Sequence, residues 1–219
     1  MLVKFQNRTE AGQFLAQKLA KYANRPGVLL LALPRGGVPV AYEVARKLNV
    51  PLDVFVVRKL GLPGHEELAM GAIASGGVRV LNGDVVASLH IPHAVIERVT
   101  ARELRELKRR ERAYRDNRAT PEVRGRTVIL VDDGIATGST MGAAIAALRQ
   151  QEAASIVVAV PTAALATVNV MRSAADEFVA VITPEKFYGV GQWYEDFSQT
   201  TDEEVRQLLQ CTEQGKVTI

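Results

Sequence analysis

The chain has 219 residues, of which 47% are hydrophobic and 23% are charged, with a net charge of +3 and one cysteine, Cys211. A chain of this length buries roughly 70% of its extended surface, so a hydrophobic core alone can stabilise one domain. A single cysteine excludes a disulfide framework or a cysteine-based metal site within one chain, and no apolar run is long enough to span a membrane. We expect one cytoplasmic domain over residues 1–219, with no signal peptide.

Short apolar runs alternate with helical patterns along most of the chain. The runs that predict strands cover residues 28–33, 52–57, 127–131, 155–160 and 178–182. Helical spacing of apolar residues covers residues 9–22, 38–48, 139–150, 163–175 and 200–210. This alternation predicts an α/β fold, an open and mostly parallel twisted sheet with helices on both faces.

Two segments depart from the alternation. Residues 61–67 hold two glycines, a proline and three polar residues, and residues 68–81 hold β-like pieces around a turn at 75–77, so we expect a flexible loop and hairpin over 61–81. Residues 92–118 predict a long inserted helix that begins near Pro92. Between residues 97 and 118 this helix carries nine basic and five acidic residues, so the mild basicity of the chain belongs to one segment.

In a parallel sheet, ligands bind beyond the carboxyl ends of the strands, so the loops after residues 33, 57, 131 and 182 should surround one cleft. The first loop contains Arg35, Gly36 and Gly37; the glycines let backbone N–H groups approach an anion, and the arginine fork suits a phosphate. A plain strand-to-helix turn is the alternative. The second loop opens with Arg58 and Lys59, two cations that are either solvated or bind an anion in the same cleft.

The third loop follows a buried strand with two adjacent acids, Asp132 and Asp133. Neighbouring carboxylates repel each other and burial raises that cost, so the pair suits a ligand that needs two acceptors, such as a metal ion or two hydroxyls. Residues 137–140 then place hydroxyls and backbone amides at the start of a helix, without the P-loop or dinucleotide-binding pattern. A sugar phosphate has the matching shape.

The fourth loop, residues 183–196, concentrates four aromatic residues within positions 187–194. Aromatic side chains there could stack on a flat ring, or they could form a hydrophobic lid or interface. The sequence leaves both interpretations open.

These loops resemble those of one family. Residues 128–140, with four apolar residues, two acids, a short turn and Thr-Gly-x-Thr, resemble the phosphoribosyl-diphosphate binding signature of type I phosphoribosyltransferases. Residues 34–37 resemble the pyrophosphate loop of that family, and residues 184–187 with Gly191 resemble the closing segment of its purine-salvage members, which makes residues 183–219 a small hood. The helix over 92–118 is not part of the usual core.

The resemblance implies an enzyme of nucleotide metabolism, a homodimer, that moves ribose 5-phosphate from phosphoribosyl diphosphate to a nitrogenous base and releases pyrophosphate with the help of Mg²⁺. It assigns Asp132 and Asp133 to the ribose hydroxyls, directly or through Mg²⁺, with Glu195 or Asp196 as a further metal contact. It assigns the 5-phosphate to Ala136, Thr137, Gly138, Ser139 and Thr140, and the pyrophosphate to Arg35, Gly36, Gly37, Arg58 and Lys59. Arg35 and Lys59 would join the two acids in catalysis.

Phe187 or Tyr188 would stack on the acceptor base. Ala136 stands where 6-oxopurine enzymes of the family carry an acid, so the resemblance does not support hypoxanthine or guanine as the acceptor, and the base stays open. His65, beside Glu66 and Glu67, is the nearest candidate for a general base, with a solvated loop histidine as the alternative.

A regulator is the alternative to an enzyme. Some members of the fold sense the sugar diphosphate and bind RNA or DNA, and the basic helix over 92–118 is what such a protein would use. Acids interleave with the basic residues at Glu103, Glu106 and Glu111, as in an exposed helix with internal salt bridges. We therefore favour the enzyme and expect neither a nucleic acid nor a membrane as its partner.

Overall fold

The structure, a computed structural model, describes residues 4–115 and 119–214. The helices are α1 (Arg8–Lys18), α2 (Gly37–Leu48), α3 (Gly83–Ser88), α4 (His93–Arg115), α5 (Ser139–Gln150), α6 (Leu165–Ala174) and α7 (Asp202–Gln214). The strands are β1 (Val28–Ala32), β2 (Leu52–Val54), β3 (Val57–Leu62), β4 (His65–Ala74), β5 (Val78–Leu81), β6 (Thr127–Val131), β7 (Ser155–Thr162) and β8 (Glu177–Ile182). Short 3₁₀ turns cover Ala20–Tyr22 and Val190–Trp193.

Five strands form a parallel sheet in the order β2-β1-β6-β7-β8. The central strands are mostly apolar because helices cover both faces, and every residue of β1 is buried. α1, α2, α4 and α7 pack in the core on one face, and α5 and α6 pack in the core on the other. The predicted α/β architecture is confirmed.

A second sheet of three antiparallel strands, β3-β4-β5, follows β2. The prediction of a loop over residues 61–67 is wrong, because β3 continues to Leu62 and β4 begins at His65. Only Pro63 and Gly64 remain in the turn, where Gly64 takes a φ of +85° that favours glycine. The predicted strand over 52–57 is two strands, with a break at residues 55–56. The predicted turn at residues 75–77 is confirmed, since Gly76 and Gly77 both lie in the left-handed region between β4 and β5.

The predicted long helix is confirmed as α4, and its last three predicted residues, 116–118, lie outside the described residues. The apolar side of α4 packs with the three-stranded sheet, and Leu107 shares one core with Leu60 and Met70. At its end, Arg115 is buried and donates to the Asp53 carboxylate and to the Val54 carbonyl oxygen of β2. α4 therefore bridges the two sheets. No helix within the described ranges is long and apolar enough to cross a membrane.

Candidate active site

The acid pair lies at the carboxyl end of β6, in the centre of the parallel sheet. The Asp133 N–H donates to Asp132 Oδ1 at 2.8 Å, and Arg8 Nε donates to Asp133 Oδ2 at 2.9 Å. The Tyr194 hydroxyl donates to the Asp133 carbonyl oxygen at 2.6 Å. Arg8 at the start of α1 thus holds the side chain of Asp133, and Tyr194 in the segment before α7 holds its backbone.

Burial and mutual repulsion make this pair costly to ionise. Burial, together with the charge of Asp133, raises the pKa of Asp132 well above its usual range. Burial also raises the pKa of Asp133, and the Arg8 guanidinium opposes that shift. A cation or a pair of hydroxyl donors placed against the two carboxylates would relieve this cost, which is the pattern of a binding site.

The loop after β1 lies directly against the acid pair. A Cβ atom at Gly36 would lie 2.0 Å from Asp133 Oδ2, and one at Gly37 would lie 2.8 Å from the Val131 carbonyl oxygen. Only glycine permits this approach of backbone to carboxylate. The peptide bond between Pro34 and Arg35 is cis. The structure thus brings together the first and third predicted loops, and Tyr194 of the fourth loop contacts the same acid pair. The amino-terminal end of α2 begins at the same place.

The guanidinium of Arg35 lies close to the start of α7. Its Nη1 lies 3.8 Å from Asp202 Oδ1, and the Tyr114 hydroxyl of α4 donates to the same oxygen at 3.0 Å. Burial and the charge of Asp202 raise the pKa of the Tyr114 hydroxyl to about 12. About a third of the Arg35 side chain remains exposed, so its guanidinium is oriented by Asp202 and still accessible to an anion.

The loop before α5 is supported from behind by α6. Gly138 takes a φ of +76°, and a Cβ there would lie 2.8 Å from Met171 Cε. The Thr167 hydroxyl donates to the Ala136 carbonyl oxygen at 2.6 Å. The side chains of Thr137, Ser139 and Thr140 lie at the surface at the start of the helix. Backbone amides and hydroxyls therefore face outward at a helix amino terminus, an arrangement that binds phosphate.

Arg58 and Lys59 do not share one loop, which corrects the expectation that they end a strand together. Both lie within β3, where successive side chains point to opposite faces. Arg58 faces α4 and donates through Nε and Nη2 to the buried Glu103 carboxylate, at 3.0 and 2.7 Å. Lys59 is exposed and lines a cavity of about 470 Å³ that Ser139 also lines. Only Lys59 is thus placed beside the helix terminus of α5.

The aromatic segment divides between core and surface. Trp193 is buried, with Phe187 stacked on it at a centroid distance of 6.2 Å, and Tyr194 packs on Phe5 at 5.5 Å. Tyr188 is 90% exposed. Glu195 is also exposed, and within the described ranges no three His, Cys, Asp or Glu residues form a group that could hold a metal. Glu195 therefore does not join the acid pair.

Four basic residues of α4 pair with acids of the same helix, namely Arg102, Arg109, Arg110 and Arg115. Arg109 and Arg110 both donate to Glu106, and together they lower its pKa to about 2. Arg115 donates to Glu111 in the same way. The interleaved acids thus form the internal salt bridges that the sequence pattern indicated.

Known proteins resemble this chain in sequence and in fold. The family model described as "Phosphoribosyl transferase domain" matches residues 1–191. Over 205 residues, 94% of this chain, the sequence is 48% identical to "Putative phosphoribosyl transferase Rv0571c" of Mycobacterium tuberculosis strain H37Rv and to its namesake MT0597 of strain CDC 1551. The chain spans 46% of the length of these relatives.

Among solved structures, the crystal structure of TT1426 from Thermus thermophilus is 42% identical, with a TM-score of 0.84, covering 94% of this chain and 98% of that one. The structure of the AQ2163 protein from Aquifex aeolicus, 11% identical, gives a TM-score of 0.50 over 84% of this chain and 78% of that one, a likeness of fold alone. Since the family model covers most of the sequence, this chain belongs to the phosphoribosyl transferase family.

Proposed function

We propose that the protein transfers ribose 5-phosphate from phosphoribosyl diphosphate to a nitrogenous base and releases pyrophosphate, in the presence of Mg²⁺. One observation carries the proposal: Gly36 and Gly37 lie against Asp132 and Asp133. A loop suited to pyrophosphate thereby lies next to a carboxylate pair suited to a diol, and a ribose with pyrophosphate on C1 carries these two groups side by side.

Each of the loops binds a different part of the substrate. The carboxylates of Asp132 and Asp133 accept hydrogen bonds from the ribose hydroxyls, and residues 136–140 at the start of α5 bind the 5-phosphate. The backbone amide of Gly36 and the Arg35 fork bind the pyrophosphate. The Gly37 N–H donates to the Leu33 carbonyl oxygen at 3.1 Å, so Gly37 contributes the close approach of the loop and not a donor. Lys59, which shares a cavity with Ser139, supplies a further cation. Phe187 or Tyr188 stacks on the acceptor base.

The chemistry needs charge to be stabilised at two points. The bond between C1 and the pyrophosphate oxygen breaks, the leaving group keeps the electron pair, and positive charge develops on the ribose ring. The acid pair stabilises that positive charge, while Arg35, Lys59 and the Gly36 amide stabilise the leaving pyrophosphate. A ring nitrogen of the base then forms the new bond to C1 and passes its proton to the released pyrophosphate.

The residues present suit Mg²⁺. This ion takes oxygen ligands and is usually held by one or two carboxylates together with substrate phosphates and water. Asp132 and Asp133 offer two carboxylates, and no third acid joins them within the described ranges. They would hold the ion together with the phosphates, and its charge would neutralise the pyrophosphate.

The test is calorimetry of phosphoribosyl diphosphate with Mg²⁺, followed by pyrophosphate release across a panel of purine and pyrimidine bases. We expect binding, and release that depends on one class of base. Asp133→Asn should weaken binding by well over tenfold, since it removes a charged acceptor, and Thr137→Val should weaken the 5-phosphate contact. The exposed Arg46, paired with Glu43 on α2, provides the control variant Arg46→Gln.

Each other outcome is informative. Unchanged affinity of Asp133→Asn would overturn the diol assignment, and full activity of Thr137→Val would contradict the phosphate assignment. Binding without release for any base, together with salt-sensitive binding of RNA or DNA, would replace the enzyme with a sensor.

A further inference from the structure

The segment before α1 meets the segment before α7 beside the acid pair. The Phe5 N–H donates to the Trp193 carbonyl oxygen at 2.9 Å, and the Glu195 N–H donates to the Phe5 carbonyl oxygen at 2.8 Å. The Asp196 N–H donates to the Gln6 carbonyl oxygen at 2.9 Å. We call residues 5–8 and 193–198 together the terminal clasp.

Arg8 connects this clasp to the acid pair. Its Nε donates to Asp133 Oδ2 at 2.9 Å, its Nη1 donates to the Ser198 carbonyl oxygen at 2.7 Å, and its guanidinium lies 4.0 Å from the centre of the Phe197 ring. Only 11% of the side chain is exposed. A planar guanidinium that is bonded along two edges and stacked on a ring cannot turn without losing all these contacts at once.

Asp133 Oδ2 is therefore confined on two sides. Arg8 holds it from one side, and the backbone of Gly36 lies against it from another, where a Cβ atom would come within 2.0 Å. The other oxygen, Oδ1, accepts no hydrogen bond from another residue in the described ranges. The carboxylate is fixed in one orientation that leaves Oδ1 for a ligand.

We infer that Arg8 is a positioning residue, which fixes the sugar-binding carboxylate of Asp133 and couples closure of the terminal clasp to occupancy of the sugar site. The inference rests on the proposed function for the identity of the sugar. Tyr194 strengthens the coupling, because its hydroxyl ties the clasp to the Asp133 backbone. A sugar phosphate that binds Asp133 and a closed clasp then stabilise each other.

The chain supplies its own probe of the clasp. Trp193 is the only tryptophan of the sequence, and it is 5% exposed. Ribose 5-phosphate, which has no leaving group, is the ligand, so binding is measured without turnover. Calorimetry gives the Kd, and acrylamide quenching of Trp193 fluorescence reports whether the clasp is closed.

Three variants are compared with the wild type. Arg8→Gln should weaken ribose 5-phosphate binding by on the order of tenfold to a hundredfold, as expected when a charged hydrogen bond is lost, and should increase quenching of Trp193. Arg8→Lys keeps the charge without the fork and should recover part of the affinity. Arg46→Gln should change neither measurement.

A double-mutant cycle separates positioning from a general structural effect. If Arg8 acts through Asp133, Arg8→Gln should weaken binding no further when it is added to Asp133→Asn. A full additional loss in that background would overturn the inference, as would equal affinities of wild type and Arg8→Gln. Should Arg8→Gln fail to fold, the same cycle with Arg8→Lys decides between these results. A wild type that binds no ribose 5-phosphate contradicts the proposed function itself, a result distinct from binding that is insensitive to Arg8.

Discussion

At the residue scale, Asp132 shows how a binding site lowers the stability of the fold that holds it. Its pKa is raised by burial and by Asp133, so the folded state binds its proton more tightly than the unfolded state does. The stability that this proton contributes is present below the unfolded pKa of about 4 and is lost as the pH rises through the higher folded pKa. Raising the pH from about 4 toward neutrality therefore lowers the contribution of this carboxyl group to stability.

Asp132→Asn should stabilise the ligand-free protein. The amide oxygen can still accept the Asp133 N–H, and a neutral amide replaces a carboxyl group that is costly to ionise, so we expect a gain on the order of 1 kcal/mol in the free energy of unfolding at pH 7. Thermal unfolding in the presence of a chelator should show a midpoint higher by about 2–4 °C, with the difference shrinking toward pH 4.

The pKa of Asp176 is shifted in the opposite direction from that of Asp132, so Asp176 serves as its control. The Arg149 guanidinium lowers its pKa, so its contribution to stability is present at neutral pH and is lost as the pH falls. Asp176→Asn should lower the thermal midpoint at pH 7. If Asp132→Asn were less stable than the wild type at pH 7, burial of the Asp132 carboxyl group would not lower stability as predicted.

At the element scale, β3 places two adjacent cations, Arg58 and Lys59, on opposite faces because successive side chains of a strand point in opposite directions. Arg58 faces the buried Glu103 of α4, and Lys59 faces the cavity shared with Ser139. Arg58→Gln leaves Glu103 with Arg102 as its remaining partner and should cost about 1–3 kcal/mol of unfolding free energy. Lys59→Gln should change that free energy by less than about 0.5 kcal/mol, since the side chain is exposed.

Ligand affinity should show the reverse order. Lys59→Gln should weaken phosphoribosyl diphosphate binding by on the order of tenfold, while Arg58→Gln, measured well below its unfolding transition, should bind nearly as the wild type does. Urea denaturation and calorimetry of the same two proteins make the comparison. Equal losses of affinity in both variants would mean that Arg58 leaves Glu103 to reach the ligand.

The two sheets also show which elements a sequence can predict. Residues 127–131 and 139–150 were predicted with the bounds they have, because an apolar run ends at two acids and a helical pattern starts after a glycine. The β3–β4 hairpin was missed because Gly61, Pro63 and charged residues resemble a loop. In the structure, these residues belong to paired strands whose register is irregular around Gly61. This pairing is a tertiary effect that local composition does not show.

At the scale of the whole molecule, the topology rule for parallel sheets was enough to bring the loop at residues 35–37 to the acid pair. It could not predict Arg8, which lies 125 positions from Asp133, or Asp202, which orients Arg35 from α7. These residues come from helices whose place over the sheet follows from packing. Nothing in the local sequence of a helix start distinguishes an arginine that reaches a carboxylate from one that is solvated.

The packing of α4 should make the two sheets unfold together. Leu107 is 1% exposed, in a core that joins Leu60 of β3 and Val205 of α7. Leu107→Ala should cost about 2–5 kcal/mol of unfolding free energy, while Val170→Ala, at a position 60% exposed on α6, should cost less than about 0.5 kcal/mol.

Two probes test whether the two sheets unfold in one transition. Trp193 fluorescence reports the terminal clasp beside the five-stranded sheet, and far-UV circular dichroism reports all helices and strands. Because α4 is bonded to β2 through Arg115 and packs on β3, both signals should change in one transition with the same midpoint, in the wild type and in Leu107→Ala alike. If circular dichroism kept a second transition after the Trp193 signal had ended, the three-stranded sheet would be a separate unit, and the cavity between Lys59 and Ser139 would open independently of the acid pair.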